Sequence, residues 1–98
     1  MIRAIHFLSV DAFRSQKLPG STHFDMVHAP PGEAKLWFWC PCGCGALVGL
    51  RVGLKTKPAH SPSWEWRGSV ENPTLAPSVN RQDCGWHGWL RGGYWELA

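Results

Sequence analysis

The sequence predicts a small all-β domain in which two hairpins carry metal-binding tips, with one short N-terminal helix. Three observations carry this. Short, aromatic-rich alternating stretches recur along the 98 residues. Eleven glycines and eight prolines punctuate them as turn signals. The four cysteines fall into two clusters, "CPCGCG" from position 40 and "CGWH" from position 84.

Taken in order, "IRAIHFL" at 2–8 alternates as a strand, and "VDAFRSQK" at 10–17 spaces its apolar residues as a helix. "KLPGS" breaks the chain at a Pro-Gly turn, after which "HFDMVHA" reads as a further strand closed by "PPGE". "AKLWFWC" is the clearest strand, and "ALVGLRVGL" is its return partner, so Cys40, Cys42 and Cys44 occupy a hairpin tip. "KTKPAHSPS" is a polar turn region whose prolines deny it regular pairing. "SWEWRG" puts Trp64 and Trp66 on one face and Glu65 and Arg67 on the other. "ENPTLAPSV" is a short extended piece, and "HGWL", "RGG" and "YWEL" form a second hairpin that Cys84 and His87 open.

The length makes one domain, 1–98, with residues 1–33 as an extension packed on a metal-binding β core of 34–98. A domain this small often adds a metal or disulfide staple, and seven tryptophans supply large apolar area at few positions. Only 17% of residues are charged, against about a quarter in ordinary domains, which leaves surface for a protein partner. No signal peptide or membrane span is visible, since Arg3 and His6 interrupt the apolar start. A cytoplasmic address follows, where thiols stay reduced and clustered cysteines favour metal over disulfides.

Zinc takes about four sulfur or nitrogen ligands from two close groups on separate segments, each in a tight turn. Five residues compete for those places: Cys40, Cys42, Cys44, Cys84 and His87. Cys84 and His87 have no rivals in their turn, and Gly43 and Gly45 let Cys42 and Cys44 close around an ion. Cys40, at the end of the aromatic strand, is therefore expected to be spare. Two tips clamping one ion is the form of a zinc ribbon. A zinc adds two positive charges and four thiolates remove four, bringing the formal +3 down to +1; with His87 replacing one thiolate the result is +2.

"CGWHGWLRGG" resembles the second half of a Rieske iron–sulfur motif, which implies a [2Fe–2S] electron-transfer protein as the alternative to zinc. As a set, "CPCGCG", "WEWRG", "NPTLAPSV" and "CGWHGWLRGG" resemble domain-of-unknown-function family 6527 over about residues 35–97. Members are small proteins of bacteria and bacteriophages, some encoded beside ubiquitin-like conjugation genes. The resemblance implies a metal-stapled β domain in a phage or mobile-element setting and brings no activity with it.

The functional expectation is accordingly a non-catalytic structural zinc module. Its role would be protein interaction or assembly, with phage structural proteins as partners and the phage particle as a second location. Asp83 is the only acid beside the downstream ligands and reads as a turn residue, and the sequence alone assembles no Ser-His-Asp arrangement. Arg51, Lys55 and Lys57 near tryptophan faces suggest weak binding of single-stranded nucleic acid as a further alternative.

Overall fold

The computed structural model describes residues 1–98, and its elements follow the turn punctuation closely. They are β1 (Ile2–Arg3), α1 (Val10–Gln16), β2 (Thr22–Asp25), β3 (Glu33–Trp39), β4 (Leu47–Gly53), β5 (Trp64–Gly68), β6 (Pro73–Ala76), β7 (Val79–Arg81), β8 (Trp86–Arg91) and β9 (Tyr94–Leu97). The protein is all-β with one short helix, as its alternation and turns predict. No helix is long and apolar enough to cross a membrane.

Two sheets form. One runs β1-β9-β8-β7 and the other β2-β3-β4-β5-β6. Alternation decides what faces inward: Ala34, Leu36 and Phe38 of β3 are buried, as are Trp86 and Leu90 of β8. The inner faces meet in one core, with the Phe38 and Trp95 ring centroids 4.6 Å apart across the sheets. Trp95 is 2% exposed, and its indole N–H donates to the Gly20 carbonyl at 2.8 Å, so its polar edge is satisfied inside the core. Losing a side chain of this size from such a site costs about 3–5 kcal/mol.

The N-terminal third does more than pack on this core. The expected strand over 2–8 divides: Ile2 and Arg3 pair with β9, while His6 bridges Thr22 of the other sheet. Residues 1–33 therefore contribute a strand to each sheet. The helix is capped by Ser9 Oγ, which accepts from the Ala12 N–H at 3.2 Å, and ends at Lys17 in the left-handed region. Its one buried residue, Phe13, lies against Trp39, and the Trp39 indole donates to the Phe13 carbonyl at 2.9 Å.

"ENPTLAPSV" also divides. Pro73–Ala76 closes one sheet as β6, and Val79–Arg81 opens the edge of the other as β7. Ser78 sits at that crossing, between the sheets' two edges.

Candidate functional site

The β3–β4 hairpin places Cys40 at the end of β3 and Cys42 and Cys44 in its turn. The turn is closed by the Cys40 N–H donating to Ala46 O at 2.9 Å and the Gly43 N–H to Cys40 O at 3.1 Å. Gly43 and Gly45 both take positive φ there, 85° and 83°, a region L side chains avoid. The β7–β8 turn brings Cys84 to the same place from the other sheet. All four sulfurs lie within 4.8 Å of one another. Cys40 Sγ is 3.3 Å from Cys42 Sγ and 3.6 Å from Cys84 Sγ, close to the edge of about 3.8 Å that a tetrahedron of 2.3 Å zinc–sulfur bonds requires. The Cys44 N–H points at Cys42 Sγ from 3.3 Å. This donor set fits a thiophilic metal.

The electrostatics of the four are uneven. Burial, first of all, pushes the Cys40 thiol up to about 12. The backbone N–H of Trp86, first of all, brings the Cys84 thiol down to about 7. A bound cation would hold both as thiolates.

Of the five residues anticipated as ligands, the structure gathers the four cysteines and leaves His87 out. Cys40, expected to be spare, is the buried member of the cluster. The reason is strand alternation. Cys40 continues the inward series Leu36, Phe38 and so points between the sheets, where Cys84 arrives. His87 lies between Trp86 and Gly88, whose inward positions turn the imidazole outward.

What His87 meets is Ser78. Its Nε2 lies 2.9 Å from Ser78 Oγ. Asn80 stands opposite His87 in the β7–β8 register, and Val79 opposite Gly88. Ser78, Asn80 and His87 thus share the outer face of one hairpin. Gly88 is required beside them, because a Cβ there would run into the Glu96 carbonyl and the Trp86 ring. The Ser78 carbonyl accepts from the Trp64 indole at 3.2 Å, which ties the residue to the opposite sheet. No carboxylate is hydrogen-bonded to His87; Asp83 instead faces Arg81 at 3.6 Å with its own side chain 92% exposed.

This chain's residues 9–98 match the family model described as bacterial ubiquitination-like system serine protease, BubE. The chain belongs to the BubE family. The match takes in α1 and β2 as well as the cysteine tips, so most of the N-terminal third belongs to the family's pattern. No curated protein and no solved structure matches it.

Membership in the BubE family overturns two expectations. It replaces the resemblance to family 6527 and the phage setting drawn from it. It also conflicts with a non-catalytic assembly role and with a virion component, because the family is described as a protease. Sequence reasoning missed Ser78, which it absorbed into an extended "NPTLAPSV". The signal that could have found the pair is the alternation of β8, which excludes His87 from the side where the inward residues point. Of the basic residues read as a nucleic-acid patch, Arg51 faces Glu33 at 3.5 Å, while Lys55 and Lys57 are exposed and neither lies over a ring.

Proposed function

We propose that this chain is a serine peptidase of a bacterial ubiquitination-like system, with Ser78 as nucleophile and His87 as general base, braced by one zinc on Cys40, Cys42, Cys44 and Cys84. One observation carries the reading: a serine hydroxyl and an imidazole nitrogen 2.9 Å apart on an exposed face, in a chain whose family is described as a serine protease.

The geometry suits acyl transfer. Ser78 Oγ bonds to the carbonyl carbon of a peptide while its proton passes to His87 Nε2. The carbon–nitrogen bond then breaks, and His87 hands that proton to the departing amine. Water next adds to the acyl-serine ester, giving a proton to His87. Collapse releases the carboxylic acid and returns the proton to Ser78 Oγ. With no carboxylate bonded to His87, the pair works as a dyad, and its imidazole is oriented by the β7–β8 register.

Zinc is favoured for the four sulfurs because all are thiol donors within 4.8 Å of one another and no histidine joins them. Its role is to join the tips. A fully thiolate-bound ion leaves no position for substrate.

A fluorophosphonate probe tests the catalytic part. Covalent labelling should map to Ser78 and disappear in His87→Ala, and the protein should hydrolyse β-casein. Labelling at another residue would overturn the assignment. Native mass spectrometry should find one zinc per chain, and iron with visible absorption would refute that metal.

A further inference from the structure

β4 is paired along its whole length on one side only. Toward β3 it runs from Leu47 opposite Trp39 to Gly53 opposite Glu33. Toward β5 only Val52 and Gly53 have partners, Trp64 and Glu65, in parallel register. In an antiparallel ladder alternate residues aim their N–H and C=O at the partner strand. The flanking bonds, Cys40 N–H to Ala46 O and Leu54 N–H to Gly32 O, fix the phase. Val48, Leu50 and Val52 bond to β3. Leu47, Gly49 and Arg51 aim the other way, and before the Arg51 carbonyl they face a gap where β5 has not yet begun. No turn or loop backbone bond reaches these three residues, and the parallel β5 ladder takes only the Arg51 carbonyl, which accepts from the Trp64 N–H because Val52 faces β3, so the Gly49 groups and the Arg51 N–H stay unpaired.

That gap is an open groove of about 460 Å³, with Glu33, Lys35, Gly49 and Arg51 on one side and Pro62 and Trp64 on the other. Trp64 links it to the dyad, because the same indole that walls the groove donates to the Ser78 carbonyl at 3.2 Å. Both ends of the β5–β6 ladder point the same way: Glu65 opposes Ala76, so Ser78 lies two residues beyond β6 on the side where the groove opens. A row of unpaired main-chain groups inside a sheet is complementary to one chemistry, the main chain of an extended polypeptide.

We propose that the substrate polypeptide binds by strand addition to the free edge of β4, pairing with the N–H and C=O groups of Gly49 and the N–H of Arg51, and passes Trp64 to reach Ser78. This rests on the peptidase reading. It goes further by naming what is recognised: an extended, flexible stretch of protein, held mainly through its backbone, so that sequence preference comes from the groove walls. A folded domain could not enter the slot.

Proline at position 51 tests it, because proline removes the Arg51 N–H, which is not used in the ladder to β3. Arg51→Ala keeps that N–H and reports what the side chain alone contributes. For β-casein, kcat/KM of Arg51→Pro should fall at least about tenfold below that of Arg51→Ala. Ser78 of Arg51→Pro should still take a fluorophosphonate label, showing that the dyad persists. Equal kcat/KM in the two variants would overturn the proposal, as would a wild-type protein that takes the label yet leaves β-casein uncut. A second measurement does not depend on the proline variant folding. In Ser78→Ala saturated with β-casein, the Gly49 and Arg51 amides should exchange with deuterium at least about tenfold more slowly than without it. Unchanged exchange at both would overturn the edge. Failure of the peptidase reading shows differently, as a wild-type Ser78 that takes no label.

Discussion

The β3–β4 and β7–β8 hairpins end at the same four sulfurs, yet they differ in how firmly they are built. β3 and β4 pair over seven residues in the middle of a five-stranded sheet, with β2 and β5 on either side. β7 pairs with β8 over three residues and is an edge strand. The long hairpin supplies three cysteines and part of the core. The short one supplies one cysteine and, on its outer face, Ser78 and His87. A three-residue edge ladder is a weak pairing, whereas a nucleophile–base pair must be held within a fraction of an ångström. The comparison teaches what a metal on the four sulfurs would do. On the proposed function, a metal tying Cys84 to the long hairpin would lend its rigidity to the short one and would act on catalysis from three residues away without touching substrate.

The largest expected effect separates the two hairpins by chemistry. Ser78→Ala should reduce hydrolysis on the order of 10⁴-fold or more, with zinc content unchanged. His87→Ala should do the same and also keep its zinc. Cys40→Ala should lose the metal, and its hydrolysis should fall only through the loosened β7–β8 hairpin, by less than in Ser78→Ala. Paired zinc analysis and casein kinetics on these variants check all three. A His87→Ala protein without zinc would return the histidine to the metal and dissolve the dyad.

The next effect concerns rigidity. Structural zinc sites contribute about 10 kcal/mol or more in small zinc-dependent peptides, so Cys84→Ser should loosen whatever the ion alone secures. Amides of β7 and β8 should lose protection in hydrogen exchange well before those of β3 and β4, and hydrolysis should fall with them. Equal loss in both hairpins would mean that the ion holds the whole fold rather than the short hairpin.

How much of this was legible depends on the range of each interaction. β3 could be read because Ala34, Leu36 and Phe38 alternate with exposed or half-exposed neighbours, and the helix because the spacing within 10–17 is local. The two tips were legible because cysteines have few uses in such turns. The parallel β4–β5 pairing was not, since it depends on a crossing through Leu54–Ser63 that carries no pattern of its own. Ser78 was not legible either. A serine becomes a nucleophile by meeting an imidazole nine residues away, and that meeting exists only once β7 and β8 are in register. His87 was read as a ligand for a related reason: a Cys-x-x-His spacing looks like a ligand pair, whereas alternation turns His87 away from the group of four sulfurs.

The smallest expected effect tests the bridge between the sheets. Trp64→Phe keeps the ring's bulk and removes only the indole N–H that donates to the Ser78 carbonyl at 3.2 Å. Such a bond contributes about 1 kcal/mol net. Trp64 is half-buried against the core, so the ring itself should stay in place. If the bond serves to orient Ser78, its loss lowers kcat about fivefold and leaves KM nearly constant. A rise in KM at constant kcat would instead make Trp64 a wall of the peptide groove with no hold on the nucleophile. That result would leave the β7–β8 hairpin dependent on the metal alone for its alignment. The rigidity difference between the two hairpins would then predict a steeper loss of activity on chelation in Trp64→Phe than in the wild type only if both ties act on Ser78. Measuring chelator titrations of activity in the two proteins decides this: parallel curves mean one tie, and a steeper curve in the variant means two.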